Sequence, residues 1–369
     1  MRVVVTGSDG FLGRHLRTRL RAVAPEWEMV EAPRSVFDDD ASLVDAVAGA
    51  DAVAHLAGVN RGDAATVEAG NVDLAERLTA ALDRAGSAPR LVYADSVQAG
   101  AGTPYGRGKQ RASEMLATWA KGCGAAYVDL VLPNLFGECG RPDYNSFVAT
   151  FCQRLASEDA PEIRVDRDLE LLHAQDAAGV IAAHLAPGGP GGAFFPSGTS
   201  TSVSEVLERL VAIADVYRTG RLPDLGDSFS LRLFNTYRSY LYPDRFPMVL
   251  AAHADERGAF VETTQALGGE SQSSFSTTRR GVTRGNHFHL RKVERFVVVR
   301  GRAQIAMRPV WGGAVHTFDV SGEQPALVDM PTLYTHNITN VGEEDLYTVF
   351  WISEIYDPAD ADTFAMVVE

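Results

Sequence analysis

Tyr105 and Lys109 stand four residues apart, a spacing that puts both on one face of a helix. They follow Leu91-Val92-Tyr93-Ala94-Asp95-Ser96, a strand-like run that ends in a hydroxyl. A free phenol titrates near pH ~10. A neighbouring ammonium is expected to lower that value, so that Tyr105 gives a proton to a developing alkoxide while Ser96 hydrogen-bonds the substrate oxygen. Lys109 can also hydrogen-bond a nicotinamide ribose. Only Lys109, Lys121 and Lys292 are lysines among 34 basic residues, so a lysine inside a motif asks for a chemical reason. Asp95 is a poor substitute for Ser96, because an ionised carboxylate cannot donate. The eight residues between Ser96 and Tyr105 must turn abruptly for the two hydroxyls to meet.

Near the start of the chain, Thr6-Gly7-Ser8-Asp9-Gly10-Phe11-Leu12-Gly13 joins the apolar run Arg2–Thr6 to a helical pattern. Glycines at 7, 10 and 13 allow a tight turn, close approach of backbone to a pyrophosphate, and close packing of helix on strand. The free amides of the helix start then face the phosphates. Cofactor contacts are expected from Gly7, Gly10, Phe11, Leu12, Gly13 and Arg14, and from Leu56, Ala57 and Gly58 after a later strand. Arg14 and Arg34 could together hold a ribose 2′-phosphate, which favours NADPH over NADH.

A third constellation lies far downstream. His287-Phe288-His289 places two imidazoles on one strand face, and Glu294 and His336 can converge on the same point. Three imidazoles and one carboxylate suit a first-row divalent ion with positions left open. Lys292, between two of these ligands, and Tyr334, beside the last, are alternative acid/base groups.

Elements must hold these groups in place. Runs at Arg2–Thr6, Glu28–Ala32, Ala52–Leu56, Leu91–Ala94 and Tyr127–Leu132 alternate with helical patterns such as Leu12–Val23 and Leu74–Ala85. That alternation predicts an α/β doubly wound parallel sheet. A break at 187–192 precedes a helix near Val203–Val216, opened by the capping box Ser202-Val203-Ser204-Glu205. Tyr217–Arg245 has no clean period and reads as a connection. Beyond it, short strands at Ala259–Thr263, Phe296–Val299, Ala303–Met307, Val315–Val320 and Leu346–Trp351 predict an all-β jelly-roll barrel. The expected domains are therefore 1–245 and 246–369.

Composition narrows the function classes. Hydrophobic content of 46% excludes a disordered chain, and a net charge of −14 argues against a nucleic-acid or anionic-membrane binder. No apolar stretch reaches membrane-span length. The chain is already strand at Arg2, so a cytoplasmic protein is expected. Cys123, Cys139 and Cys152 are odd in number and lack metal-site spacing.

The TGxxGxxG loop, His55-Leu56-Ala57-Gly58 and the Tyr105/Lys109 pair resemble the extended short-chain dehydrogenase/reductases that act on sugar nucleotides. Gly281 through Gly301 resembles the first cupin motif, and Pro331 through Asn340 the second, with Leu333 where a glycine is usual. Asp255-Glu256-Arg257-Gly258-Ala259-Phe260-Val261-Glu262 is similar to the opening of cupin-fold keto-sugar epimerases, where the segment helps hold the sugar nucleotide. Together these resemble the bifunctional capsular-polysaccharide enzymes of UDP-N-acetyl-L-fucosamine synthesis. The resemblance implies a metal-dependent C3 epimerisation by the cupin of a UDP- or dTDP-linked 4-keto-6-deoxy sugar. It then implies NADPH-dependent reduction of C4 by the first domain, with zinc and a homodimer. It also implies substrate contacts at Asn134, Arg257 and Glu262. Two other readings stay open: a 4-keto sugar reductase with a non-catalytic cupin, and a regulator that senses NADPH without turnover.

Overall fold

The computed structural model describes residues 1–369 and divides by contacts into two compact units. The first comprises Met1–Phe136 and Asp168–Thr201, the second Gly137–Arg167 and Ser202–Glu369.

In the first unit, β1 (Arg2–Thr6), α1 (Phe11–Val23), β2 (Glu28–Ala32), α2 (Asp40–Val47), β3 (Ala52–His55), α3 (Ala64–Ala85), β4 (Arg90–Ser96), α4 (Pro104–Cys123) and β5 (Tyr127–Leu132) alternate along the chain. The sheet runs in the order β2-β1-β3-β4-β5, closed by the strand Gly192–Phe194. Every one of these pairings is parallel. Two apolar layers cover its faces, one built on Val4, Val53 and Leu91, the other on Val3, Val5, Val92 and Leu130. Burial on both faces explains why the strands read as continuous apolar runs. The α/β doubly wound class expected from the alternation is what the chain forms.

Two boundaries differ from the expected ones. Helix α3 begins at Ala64, ten residues before the periodic stretch at Leu74, where Asp63 accepts from the Thr66 amide as its cap. The supposed connection Tyr217–Arg245 contains the helix Ser228–Arg238, capped by Asp227. Its Phe229, Leu233, Phe234, Asn235, Thr236, Tyr237 and Arg238 are all buried. A helix covered on so many sides shows no single apolar stripe, and periodicity therefore misses it.

The second unit is built on two five-stranded antiparallel sheets. One joins Met248–Val249, Ala326–Met330, Glu294–Arg300, Leu346–Ile352 and Gln272–Thr278 in that order. The other joins His316–Ser321, Arg302–Pro309, Tyr334–Asn340, Thr283–Phe288 and Phe364–Ala365. This is the β-rich cupin-type domain expected from the strand spacing. The helices Phe147–Ala156, Val203–Tyr217 and Ser228–Arg238 belong to the same compact unit. A buried polar knot ties two of them to the barrel. The Tyr217 hydroxyl donates to Asp329, whose carboxylate also receives Arg295 at 2.7 and 2.9 Å, and Arg238 donates to the Met330 carbonyl. Arg295 and Asp329 are both essentially inaccessible, so removing either partner would strand a buried charge.

Candidate active site and metal centre

The glycine loop closes between β1 and α1. Gly7 has φ +67°, and its amide donates to the Ala32 carbonyl. A Cβ added at Gly13 would lie 2.2 Å from the Gly7 carbonyl oxygen, so helix and strand approach too closely there for any side chain. Thr6 sits beneath the loop. Its Oγ1 is 2.8 Å from His55 Nδ1 and accepts from the amides of Leu56 and Ala57. Thus β1 and β3 bring Gly7, Leu56 and Ala57 together. Arg34 is exposed at the first turn after β2, and Arg14 is part-exposed on α1. Glu31, the last acidic side chain on β2, is occupied by Arg17 and by Arg21 at 3.0 Å.

Ser96 ends β4, and α4 opens one residue before Tyr105, with Thr103 capping the Gly106 amide. Consecutive turns, Ala99 N–H to the Ser96 carbonyl and Ala101 N–H to the Gln98 carbonyl, fold the intervening residues sharply back. The fold thereby brings the Tyr105 phenol near the Ser96 hydroxyl. Lys109, 4% exposed, donates to the Ala94 carbonyl at 2.6 Å and lies 3.9 Å from the centre of the Tyr93 ring.

The electrostatics correct one expectation. Tyr105 is pushed up to about 12, by burial first and then by the Asp95 charge, with the Ser96 hydrogen bond opposing. A lowered phenol value was expected from Lys109. Burial instead brings Lys109 itself down to about 8, against the attraction of Asp95 and Asp129. Asp95 is raised to about 6, mainly by burial. Burial shifts all three groups toward their neutral forms, and Tyr105 stays protonated well above neutral pH.

Asp129, with Ser113 donating to it at 2.6 Å and Ser113 bonded to Tyr127 in turn, completes a polar layer under this site that sequence reasoning missed. Its signal was faint: one acidic residue, Asp129, inside an apolar strand. Asn134 lies on the short strand Asn134–Phe136, where its amide nitrogen donates to the Glu170 carbonyl.

In the second unit, His287, His289, Glu294 and His336 offer ligand atoms that all lie within 4.8 Å of one another. The strands Thr283–Phe288 and Tyr334–Asn340 are paired, with His287 opposite His336. Glu294 Oε2 lies 3.0 Å from His289 Nε2, 3.1 Å from His336 Nε2 and 3.7 Å from His287 Nε2. His289 Nδ1 donates to the Asp362 carbonyl at 2.6 Å, and His336 Nδ1 to the Tyr334 carbonyl at 3.2 Å. Neutral rings in those tautomers aim two Nε2 lone pairs at one carboxylate oxygen. A divalent ion fits that donor set, and protons on the Nε2 atoms would satisfy the same carboxylate oxygen by hydrogen bonding. Burial raises Glu294, but with protons on the facing ring nitrogens the contacts to His287, His289 and His336 prevail and hold it well below the usual carboxylate range.

Leu333, in place of the motif's glycine, adopts φ +68° and is fully buried. That backbone costs roughly 1–3 kcal/mol for such a residue. Its amide still donates to the His289 carbonyl at 2.8 Å, so the turn survives and no ligand is lost. Lys292 is buried, with its ammonium donating to Ala361 O and Thr363 Oγ1. The Tyr334 hydroxyl lies 3.7 Å from Cys139 Sγ, and its ring packs edge-on against Tyr242 at 4.6 Å. Arg257 sits on an exposed hairpin, Ala252–Asp255 with Gly258–Val261, and pairs with Asp255; Glu262 just beyond is exposed.

Comparison with known proteins agrees with this geometry. Residues 3–194 match the NAD dependent epimerase/dehydratase family, and residues 253–364 match the polysaccharide biosynthesis C-terminal domain. The whole chain is 32% identical to a Pseudomonas aeruginosa protein named UDP-2-acetamido-2,6-beta-L-arabino-hexul-4-ose reductase, over 99% of that protein. It also aligns over the full length of both chains with the capsular polysaccharide assembling protein CapF from Staphylococcus aureus, at 32% identity and a TM-score of 0.65. A Pseudomonas aeruginosa protein, RMD, solved with NADPH, shares the fold over 65% of this chain and 97% of its own, at 21% identity and a TM-score of 0.57. No helix is long and apolar enough to cross a membrane. The chain belongs to the NAD dependent epimerase/dehydratase family and, within it, to the capsular-polysaccharide type of sugar-nucleotide reductase/epimerase that carries a cupin-like domain behind its Rossmann domain.

Proposed function

We propose that residues 246–369 invert C3 of a UDP-linked 2-acetamido-2,6-dideoxy-hexos-4-ulose and that residues 1–245 then reduce its C4 ketone, giving a 6-deoxy-L-talose type product. The observation that carries this reading is the presence, in one chain, of a hydroxyl pair with a buried lysine on a nucleotide-type sheet and of three imidazoles converging on one carboxylate. The printed name of the Pseudomonas relative supports the substrate class.

The order follows from the chemistry. A C3–H bond is acidic only while the C4 carbonyl can accept the charge, and reduction removes that carbonyl. A divalent ion, zinc in this proposal, would be held by His287, His289, Glu294 and His336 and would supply positive charge beside the carbonyl. Lys292 commits its ammonium protons to Ala361 and Thr363, so Tyr334 is the acid/base group we favour. Arg257 and Glu262, on an open hairpin, would meet the sugar nucleotide.

In the reductase domain the cofactor, NADPH, supplies a hydride to C4. Tyr105 delivers the proton to the oxygen, Ser96 orients that oxygen, and Lys109 anchors the base of the site through Ala94. Arg14 and Arg34 would hold the 2′-phosphate, and Gly7 through Gly13 the pyrophosphate. Asn134 would touch the sugar. The active species in this proposal is a homodimer.

The test is proton exchange without cofactor. In heavy water, with no NADPH, the recovered 4-keto sugar should carry deuterium at C3, and added NADPH should then be consumed. Reduction without any exchange would leave the β-rich domain as a binding domain.

A further inference from the structure

The His289 ring is held from an unexpected direction. Its Nδ1 donates to the main-chain carbonyl of Asp362, 73 residues away and close to the end of the chain. Asp362 has φ +44°, a left-handed backbone that few residue types adopt readily and that Asp and Asn tolerate best. With the chain turned this way, the carbonyl meets the imidazole while the side chain faces the loop after it. The carboxylate accepts three consecutive amides: Leu290 on Oδ1 at 3.1 Å, then Arg291 and Lys292 on Oδ2 at 2.9 and 2.8 Å. Those amides belong to the loop that joins ligand His289 to ligand Glu294. Asp362 is only 4% exposed, so these bonds form in a dry site where each is strong.

The neighbouring residues fasten the same segment. Lys292 donates to Ala361 O and Thr363 Oγ1, straddling Asp362. Phe364–Ala365 pairs with the strand that bears His287. The Met366 amide donates to the Asn286 carbonyl, Thr335 beside His336 donates to the Met366 carbonyl, and Arg308 donates to Val367 and Val368. Residues flanking three of the four ligands are thus bonded to one short tail.

We propose that residues 361–368 form a clamp that pre-orders the metal centre, with Asp362 as the positioning residue that sets the His289 tautomer and the geometry of the loop to Glu294. Lys292 acts here as a strap on that clamp. The proposal rests on the metal-binding reading of the four-residue cluster. A ring whose Nδ1–H is fixed by a carbonyl presents Nε2 as the ligand atom, and such supporting bonds typically carry 10–100-fold in metal affinity.

The test is Co²⁺ binding by the full-length apoprotein, read from the visible d–d spectrum and by competition with a chelator. Asp362→Gly keeps the left-handed backbone and removes the carboxylate. It is expected to weaken Co²⁺ about 10–100-fold and to change the d–d bands. Asp362→Asn, which suits the same φ and keeps one acceptor oxygen, should recover much of the affinity. Fluorescence of Trp311 and Trp351 reports that the barrel stays folded, and ¹⁵N-histidine spectra of the apoprotein should show the His289 Nδ1–H tautomer give way in the glycine variant. Unchanged affinity and spectrum in Asp362→Gly, with Co²⁺ bound by the parent, would overturn the clamp alone. A parent protein that binds no Co²⁺ would overturn the metal reading beneath it and the clamp together.

Discussion

The two sites answer burial in opposite ways. Around Tyr105 burial prevails: the phenol rises to about 12, Asp95 to about 6, and Lys109 falls to about 8. Glu294 is buried too, yet three imidazoles overcome the effect and the carboxylate stays well below its usual range. The difference lies in partners. Asp95 Oδ1 is buried with no hydrogen-bond partner, whereas one oxygen of Glu294 faces three ring nitrogens. A site that keeps a phenol protonated suits proton delivery. A site that keeps a carboxylate ionised among imidazole nitrogens suits a cation. Under the proposed function, the two chemistries would occupy these two different environments.

The hardest test of that contrast separates the sites genetically. His287→Ala with His289→Ala should abolish C3 exchange in heavy water, measured by mass spectrometry of the recovered sugar, while NADPH binding persists. Exchange that survives in this variant and disappears in Tyr105→Phe would move the epimerase chemistry to the other site.

Next in size is Tyr105→Phe, which should slow ketone reduction by ~10²–10⁴-fold, the range for a lost general acid. NADPH binding and C3 exchange should both remain, because the glycine loop and the imidazole cluster are untouched. Turnover close to the parent's in single-turnover kinetics would take the phenol out of the mechanism.

A smaller effect belongs to the cofactor end of the same domain. Arg34→Ala should weaken NADPH with little change for NADH, by roughly 1.5–3 kcal/mol, or about ten- to a hundredfold. Titration of both cofactors decides it; an undiminished preference would make Arg34 ordinary surface charge.

The smallest sharpens the electrostatic half of the comparison. Asp95 has a folded value near 6, above the ordinary 3.8. The fold therefore prefers its neutral form. That stability is fully present below pH ~4 and is lost as pH rises through about 6. Asp95→Asn should remove this dependence and gain on the order of 1–2 kcal/mol over the parent at pH 7 relative to pH 4. Denaturant midpoints at the two pH values measure it, and parallel profiles would show that burial is not setting the Asp95 charge.

Much of both sites was legible because their signals are local. Gly7, Gly10 and Gly13 mark one turn, Tyr105 and Lys109 one helix face, and His287 and His289 one strand face. Backbone periodicity places such residues together whatever the rest of the chain does. The β domain announced itself through turn residues at short intervals, and the parallel sheet through alternation. The helix Ser228–Arg238 escaped because it is buried on most sides, and the early start of α3 because its first turns are exposed.

What the linear order settles by itself is the set of groups within one turn or one strand of each other, since 3.6- and 2-residue repeats dictate which side chains share a face. Tertiary structure decides the rest. The Tyr105 value reverses its expected direction because desolvation depends on what packs over the phenol, and Lys109, four residues away, is itself buried. Lys292 looks like a catalytic base between two ligands until the tail places Ala361 and Thr363 against its ammonium. Asp362 carries no motif, yet it touches the ring of one ligand and the loop to the next, because folding brings residues 73 positions apart within 2.6 Å.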